Sequence, residues 1–499
     1  MNIKEAYNWL SNNSKEIARL GAIIELAAWD QRTCAPEKSH GNRANQIALL
    51  SKIAHSKGVD KKTKDALDVL KNNDFSGLDD SLAGANVKVW LREYERSSKI
   101  SADLNEKLAL TSANGEAAWE SGMKNGDFSG FYPVLKELID LTREKAESIG
   151  YKNEPYDALV DEYEPGITTS DLDTLFCGIA DPIKDLVLKI SDKSSDLLNY
   201  NHDCSFDIEA QKSFSRQIVD AIGYDLAAGR IDEAVHPFTV GIGPGDVRIT
   251  TRYNPDNLST GIFGSIHEAG HAMYEQGLHE KAYGTPAGSY ASLGVHESQS
   301  RLWENMVGRS EGFWQWAFPI ARGYFDCLQK VSSEEFLSTI NRVSPGLIRV
   351  EADEVTYNLH VLIRFEIERE LFRNNINVED IEALWNEKMQ KYLGVKPANL
   401  KEGAMQDVHW SAGMFGYFPT YTLGNIYSAQ LFKAAESELG SLDKMFSEGI
   451  FKPLLGWLNK NIHTHGAIYG SSGLIEKATS NPVSSKYFID YLKSKYSNF

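Results

Sequence analysis

Apolar residues return at three- and four-residue intervals along almost the whole of this 499-residue chain, a spacing that suits helices and little else. Ile17, Leu20, Ile24 and Ala27 step along one face of a helix. Leu359, Leu362, Ile363 and Ile367 do the same, beside polar Asn358, Arg364 and Glu368. Comparable stretches lie around residues 60–72, 84–97, 104–122, 130–148, 171–198, 208–223, 378–392, 424–440 and 485–496. Proline, which would interrupt them, is limited to 15 residues. The length would permit two or three domains. No repeat, low-complexity tract or Pro/Ser-rich linker divides the chain, so a mainly α protein is expected, with residues 1–499 as a single body.

One stretch departs from helical spacing. His236–Asn254, HPFTVGIGPGDVRITTRYN, is rich in Thr, Val and Ile around Gly-Ile-Gly-Pro-Gly. β-Branched residues favour extended backbone and the glycines supply a turn, so a small hairpin is expected there.

The formal net charge of −17 disfavours nucleic acid and anionic lipid as partners. No run approaches 18 apolar residues, so no membrane span is expected, and the N-terminus lacks the pattern of a secretory signal. The cysteines, Cys34, Cys177, Cys204 and Cys327, are far apart in sequence and include no CxxC. Reduced thiols in the cytoplasm are the expectation.

The hairpin candidate leads into SIHEAGHAMYEQG, an HExxH arrangement of His267, Glu268 and His271. Four helical residues advance about 400°, so the two histidines share a face one turn apart, a spacing suited to one tetrahedral Zn²⁺. Glu268 lies about 100° around the helix, able to reach water at the metal without ligating it. Ala269, Gly270 and Ala272 are small enough for neighbouring backbone to approach, and Gly277 is placed as a C-terminal cap. A catalytic zinc requires a third protein ligand. Glu297 and Glu304, in HESQSRLWEN, are the candidates, and spacing does not separate them; Glu275 and Glu280 lie too near the first helix to be favoured. Water acidified by the metal would lose its proton to Glu268 and attack a peptide carbonyl. His409 or Tyr421 could donate to the resulting oxyanion.

Segments in a fixed order carry a wider resemblance: WDQ at Trp29–Gln31, HPF at His236–Phe238, DVRIT at Asp246–Thr250 and HEAGH at His267–His271. HESQ at His296–Gln299, IRVEAD at Ile348–Asp353 and GAMQDVHW at Gly403–Trp410 follow. YGTPAG at Tyr283–Gly288 and NIHTHG at Asn461–Gly466 also fit. This set resembles the M32 metallocarboxypeptidases over nearly the whole chain. The resemblance implies a single large helical body with a deep substrate groove and a small β-sheet beside the zinc, and it implies a homodimer. It implies Glu297 as the third ligand, Glu268 as general base, and Arg349 as the group that grips the free C-terminal carboxylate of a peptide. The competing role for Arg349 is an i,i+4 ion pair with Asp353. His236 and Arg248 could line the groove or fix the hairpin, and Asp246, Asp353, His463 and His465 fit structural roles better.

The leading expectation is therefore a zinc carboxypeptidase that releases single residues, with cobalt or another divalent ion able to substitute. A helical HExxH oligopeptidase or dipeptidyl carboxypeptidase is the enzymatic rival. A non-catalytic zinc- or peptide-binding protein is disfavoured, because a structural site has no use for Glu268.

Overall fold

The computed structural model describes residues 1–71, 73–75, 77–194 and 204–496. They group into two compact units, each assembled from separated stretches of the chain. The first comprises Met1–Ser97, Leu198–Ile340 and Tyr427–Val483; the second comprises Ser98–Leu197, Asn341–Ile426 and Ser484–Phe499. Both are built mainly of helices, as the periodicity requires. No helix among the described residues is long and apolar enough to cross a membrane.

The first unit opens with Ile3–Thr33, whose start is closed by a reciprocal cap between Asn2 and Glu5. Its fully buried positions are Ala6, Tyr7, Leu10 and Trp29, whereas the Ile17–Ala27 face is only half-buried. The departure at 236–254 is a hairpin: β2 (Thr239–Gly243) pairs antiparallel with β3 (Asp246–Thr251). Gly245 turns the chain at φ 79°, a backbone region that disfavours side chains. A third strand, β1 (Ile231–Glu233), joins β3 in parallel and gives the order β1-β3-β2. Its three residues are too few to leave an alternating pattern in the sequence.

The expectation of four reduced cysteines is corrected here. Cys204 and Cys327 form a disulfide across 123 residues, with Cα atoms 5.4 Å apart. Spacing along the chain could not reveal this, because tertiary packing brings the two together. The Phe206 N–H donates to the Pro255 carbonyl, and the Phe206 ring packs edge-on against Phe325 at 5.3 Å. Cysteine usage therefore gives no support to a reducing compartment. Cys34 and Cys177 are free.

In the second unit, Ala102–Asn125, Tyr132–Ile149 and Ile381–Leu393 reproduce their expected helices closely. Thr169–Ser194 is also helical, while residues 195–198 of that expectation lie outside the described residues. Tyr357–Phe372 buries Leu359, Leu362, Ile363 and Ile367 as the spacing requires, but it also buries Asn358, Arg364 and Glu368. Each of these polar groups has partners. Asn425 donates to Asn358 at 2.9 Å, and Arg364 pairs with Asp407. Glu368 accepts from Tyr156 Oη (2.6 Å), Trp410 Nε1 (2.7 Å) and the Gly416 N–H (2.9 Å).

Burial pushes the Glu368 carboxyl up to about 7, against the pull of these donors and of Arg364. An acid raised on folding contributes stability below its unfolded pKa and loses it as pH rises through the folded value. The unfolding free energy of the native chain, relative to Glu368→Gln, should therefore fall by roughly 2–3 kcal/mol between pH 4.5 and 7.5. Urea unfolding of both proteins across that window measures the difference. A flat difference would show that folding does not raise the Glu368 pKa.

Candidate metal centre

The HExxH segment lies in the helix Leu258–Gln276, capped by the Asn257 side chain on the Ser259 N–H. The helix Leu293–Arg301 packs directly on it. At Gly270 an added Cβ would lie 2.7 Å from both the Gln299 carbonyl oxygen and the Ser300 Cα. The absence of a side chain is thus what lets the second helix approach and deliver Glu297. Gly277 caps the C-terminus of the HExxH helix as expected, its N–H donating to the Met273 and Tyr274 carbonyls. Its φ is −89°, outside the left-handed cap region, and a Cβ there would meet His463 Nδ1 at 2.6 Å. His463 in turn bridges Asn459 (2.7 Å) and Gln299 (2.9 Å), bracing the Glu297 helix as a structural residue.

Glu297 Oε2 lies 3.3 Å from His271 Nε2 and 3.7 Å from His267 Nε2. Both imidazoles turn Nε2 inward because their Nδ1 atoms are already engaged. His267 Nδ1 lies 2.9 Å from Glu304 Oε2, and His271 Nδ1 lies 2.5 Å from His296 Nδ1. His296 Nε2 then reaches Glu275 at 2.9 Å. A chain of hydrogen bonds thus runs from Glu275 through His296 to His271, fixing the ring that faces inward. The two Nε2 atoms and a Glu297 oxygen fall within 4.8 Å of one another, a donor set that fits one divalent cation. Glu304, inseparable from Glu297 by spacing, takes the outer position.

The electrostatics agree with that fit. Burial disfavours charge on His267, yet Glu297 and Glu304 together raise its pKa. The same negative field favours a cation at Nε2. On His271 burial prevails and brings the pKa to about 3, leaving a neutral ring. Burial alone would raise Glu297 and Glu304; Arg301 leads the groups that hold Glu297 well below the carboxylate range, and His267 with Arg301 brings Glu304 to about 2. Arg301 Nε donates to Glu297 at 2.7 Å and its Nη1 to Glu304 at 3.3 Å.

Glu268 is 7% exposed, and burial raises its pKa. Thr239, the first residue of β2, donates to Glu268 Oε2 at 2.6 Å and to its backbone carbonyl at 2.9 Å. Thr239 was invisible to sequence reasoning except as the residue after HPF. His236 is exposed on the approach to β2. Arg248 forks onto Asp246 with two 2.8 Å bonds, and its guanidinium lies 4.3 Å from the Trp29 ring centroid. Arg230 covers the same ring at 5.0 Å. The WDQ and DxRxT segments therefore meet beside the sheet.

The second unit holds the remaining candidates. Arg349 lies in a helical turn, Arg349–Glu351, and pairs with Asp407 rather than Asp353, with Nε at 3.0 Å and Nη2 at 2.7 Å. Asp353 instead accepts from the Val355 and Thr356 N–H groups, closing the turn that leads into the next helix. Tyr357 Oη takes Arg349 Nη1 at 2.9 Å, and the Tyr421 ring centroid lies 4.9 Å from the guanidinium. His409 Nε2 lies 3.1 Å from Tyr421 Oη, so this unit brings those two candidates together. Burial, reinforced by Arg349 and Arg364, lowers His409 to about 4 despite Asp407.

A helical scaffold with two imidazoles and a carboxylate around one point, and a buried glutamate on the same helix, suits a metal-dependent hydrolase. Residues 9–496 match the Carboxypeptidase Taq (M32) metallopeptidase family. A thermostable carboxypeptidase 1 of Thermus thermophilus is 45% identical over 507 aligned positions, spanning 99% of both chains. Carboxypeptidase 1 of Bacillus subtilis is 39% identical over 97% of this chain and 96% of its own. The solved M32 carboxypeptidase of Deinococcus radiodurans superposes with a TM-score of 0.95 at 34% identity, covering 99% of each chain. Metallocarboxypeptidase 1 of Trypanosoma cruzi gives 0.94 at 35%, with the same coverage. This chain belongs to the M32 family and is a metallocarboxypeptidase, a hydrolase of peptides. Membership implies a divalent metal ion, and the donor set described above fits one.

Gly270→Ala should force the Glu297 helix outward and weaken metal binding by about tenfold or more. Metal retention against a graded chelator series measures this. Retention equal to that of the native chain would show that the contact yields without moving Glu297.

Proposed function

We propose that the chain is a zinc carboxypeptidase that removes single residues from peptide C-termini, with His267, His271 and Glu297 holding the metal. The observation that carries this reading is the convergence of those three ligand atoms beside the buried, Thr239-bound carboxylate of Glu268. Zinc, when bound, supplies Lewis acidity that polarises the carbonyl and makes water a stronger acid. Two imidazoles and one carboxylate suit zinc, and cobalt would substitute. Glu268 takes the proton of the attacking water and returns it to the leaving amine. The donation from Thr239 holds one carboxylate oxygen, and the other takes the proton.

Arg349 binds the C-terminal carboxylate. Asp407 orients the guanidinium, and the aromatic rings of Tyr357 and Tyr421 lie around it. His409 and Tyr421, 3.1 Å apart, are the candidate donors to the oxyanion. His236 contacts the peptide. Arg248, already forked onto Asp246 and stacked on Trp29, holds the hairpin. The working form is a homodimer acting on peptides with a free C-terminus.

Glu268→Gln should retain its metal and lose about 10³-fold in kcat. Metal analysis and peptide turnover on the same preparation test this, and undiminished turnover would remove Glu268 from the chemistry. Mass spectrometry of a short peptide and its C-terminally amidated twin tests the rest. Stepwise loss of single residues from the free peptide alone is expected; dipeptide release would favour a dipeptidyl carboxypeptidase, and equal cleavage of both peptides an oligopeptidase.

A further inference from the structure

We infer that Arg364 is the second cation of the carboxylate-binding site, sharing Asp407 so that this acid holds the Arg349 fork without cancelling its charge. The inference rests on the reading of Arg349 as the clamp.

An acid that orients a guanidinium also neutralises it, and a neutral pair attracts a substrate carboxylate poorly. Arg349 bonds Asp407 Oδ1 through Nε and Nη2. The other oxygen, Oδ2, is taken by Arg364 Nε at 2.6 Å. Two guanidiniums thus divide one carboxylate, and within this trio one positive charge is uncompensated. Arg364 has no exposed surface and Arg349 is 5% exposed. A buried charge without full compensation is costly, so a purely structural origin accounts poorly for the surplus.

The surroundings hold the surplus in place. Arg364 Nη1 donates to the His360 carbonyl at 2.7 Å, and the guanidinium lies 4.5 Å from the Trp385 ring centroid. Gln406 Oε1 accepts both Arg364 Nη2 (2.9 Å) and the Arg349 N–H (2.8 Å). The Gln406 amide group donates to the Leu347, Glu402 and Gly403 carbonyls, which fixes its orientation. Glu368, one turn along the same helix, directs its carboxyl to Tyr156, Trp410 and Gly416. Of the two guanidiniums, Arg364 is locked and Arg349 borders Tyr357 and Tyr421. Arg364 is therefore a positioning residue: it acts on substrate through Asp407 and Arg349.

The test uses metal-loaded, full-length enzyme and inhibition by a slowly cleaved peptide and its C-terminal amide. The preference for free carboxylate over amide is read for native, Arg349→Ala, Arg364→Gln and Arg364→Lys proteins. Arg364→Gln should cut that preference about 10- to 50-fold and raise KM more than it lowers kcat, while Arg364→Lys restores most of it. Equal weakening toward both peptides, or an unchanged preference, overturns the inference. If Arg349→Ala leaves the preference intact, the clamp reading fails. If Arg349→Ala abolishes it while Arg364→Gln does not, only the role of Arg364 fails. Should Arg364→Gln not fold, Arg364→Lys decides: a preference within about threefold of native supports the inference, and a loss as complete as in Arg349→Ala refutes it.

Discussion

At Gly270, the Leu258–Gln276 helix lacks a side chain where the backbone of Gln299 and Ser300 crosses it. Helices bearing ordinary side chains at their crossing stand 8–10 Å apart. Glycine at the crossing permits a nearer approach, which brings Glu297 to the histidines on the adjoining turns. The candidate ligand triad, the position of Glu304 behind His267 and the bracing by His463 all follow from this packing. The bond from β2 to Glu268 adds a second fixed point on the same helix.

Buried charge is handled alike in both units: carboxylates are shared between cations, and cations between carboxylates. Arg301 divides its donors between Glu297 and Glu304, and Asp407 divides its oxygens between Arg349 and Arg364. A shared partner orients two groups at once and leaves them only partly neutralised. An isolated buried pair would be rigid but electrically inert.

Several motif segments meet one another in the fold. Trp29 is covered by Arg248 and Arg230, and Asp30 pairs with Arg43 at 2.7 Å. Thr250 Oγ1 accepts the Phe238 N–H at 2.9 Å, joining HPF to DxRxT across the hairpin. These contacts keep the sheet beside the metal helix and present Thr239 to Glu268.

Helical spacing determined the mainly α architecture, because a face that must be buried repeats with the pitch of the helix. The Thr/Val/Gly stretch announced the hairpin, and HExxH placed two histidines and a glutamate by local geometry alone. Local periodicity reaches only groups within a few turns of each other, and here it stopped. It could not rank Glu297 against Glu304, seven residues apart, since the choice depends on which carboxylate the Gly270 crossing turns inward. It could not pair Arg349 with Asp407, 58 positions on, and so favoured Asp353 as the competing partner. The polar side of Tyr357–Phe372 reads as a solvated face until Asp407, Tyr156 and Trp410 are folded against it. Cys204 and Cys327 meet for the same reason. The sequence by itself determined the elements and the chemistry carried on one helix; tertiary packing decided which distant charges and thiols share a partner, because those energies exist only once separate segments exclude water together.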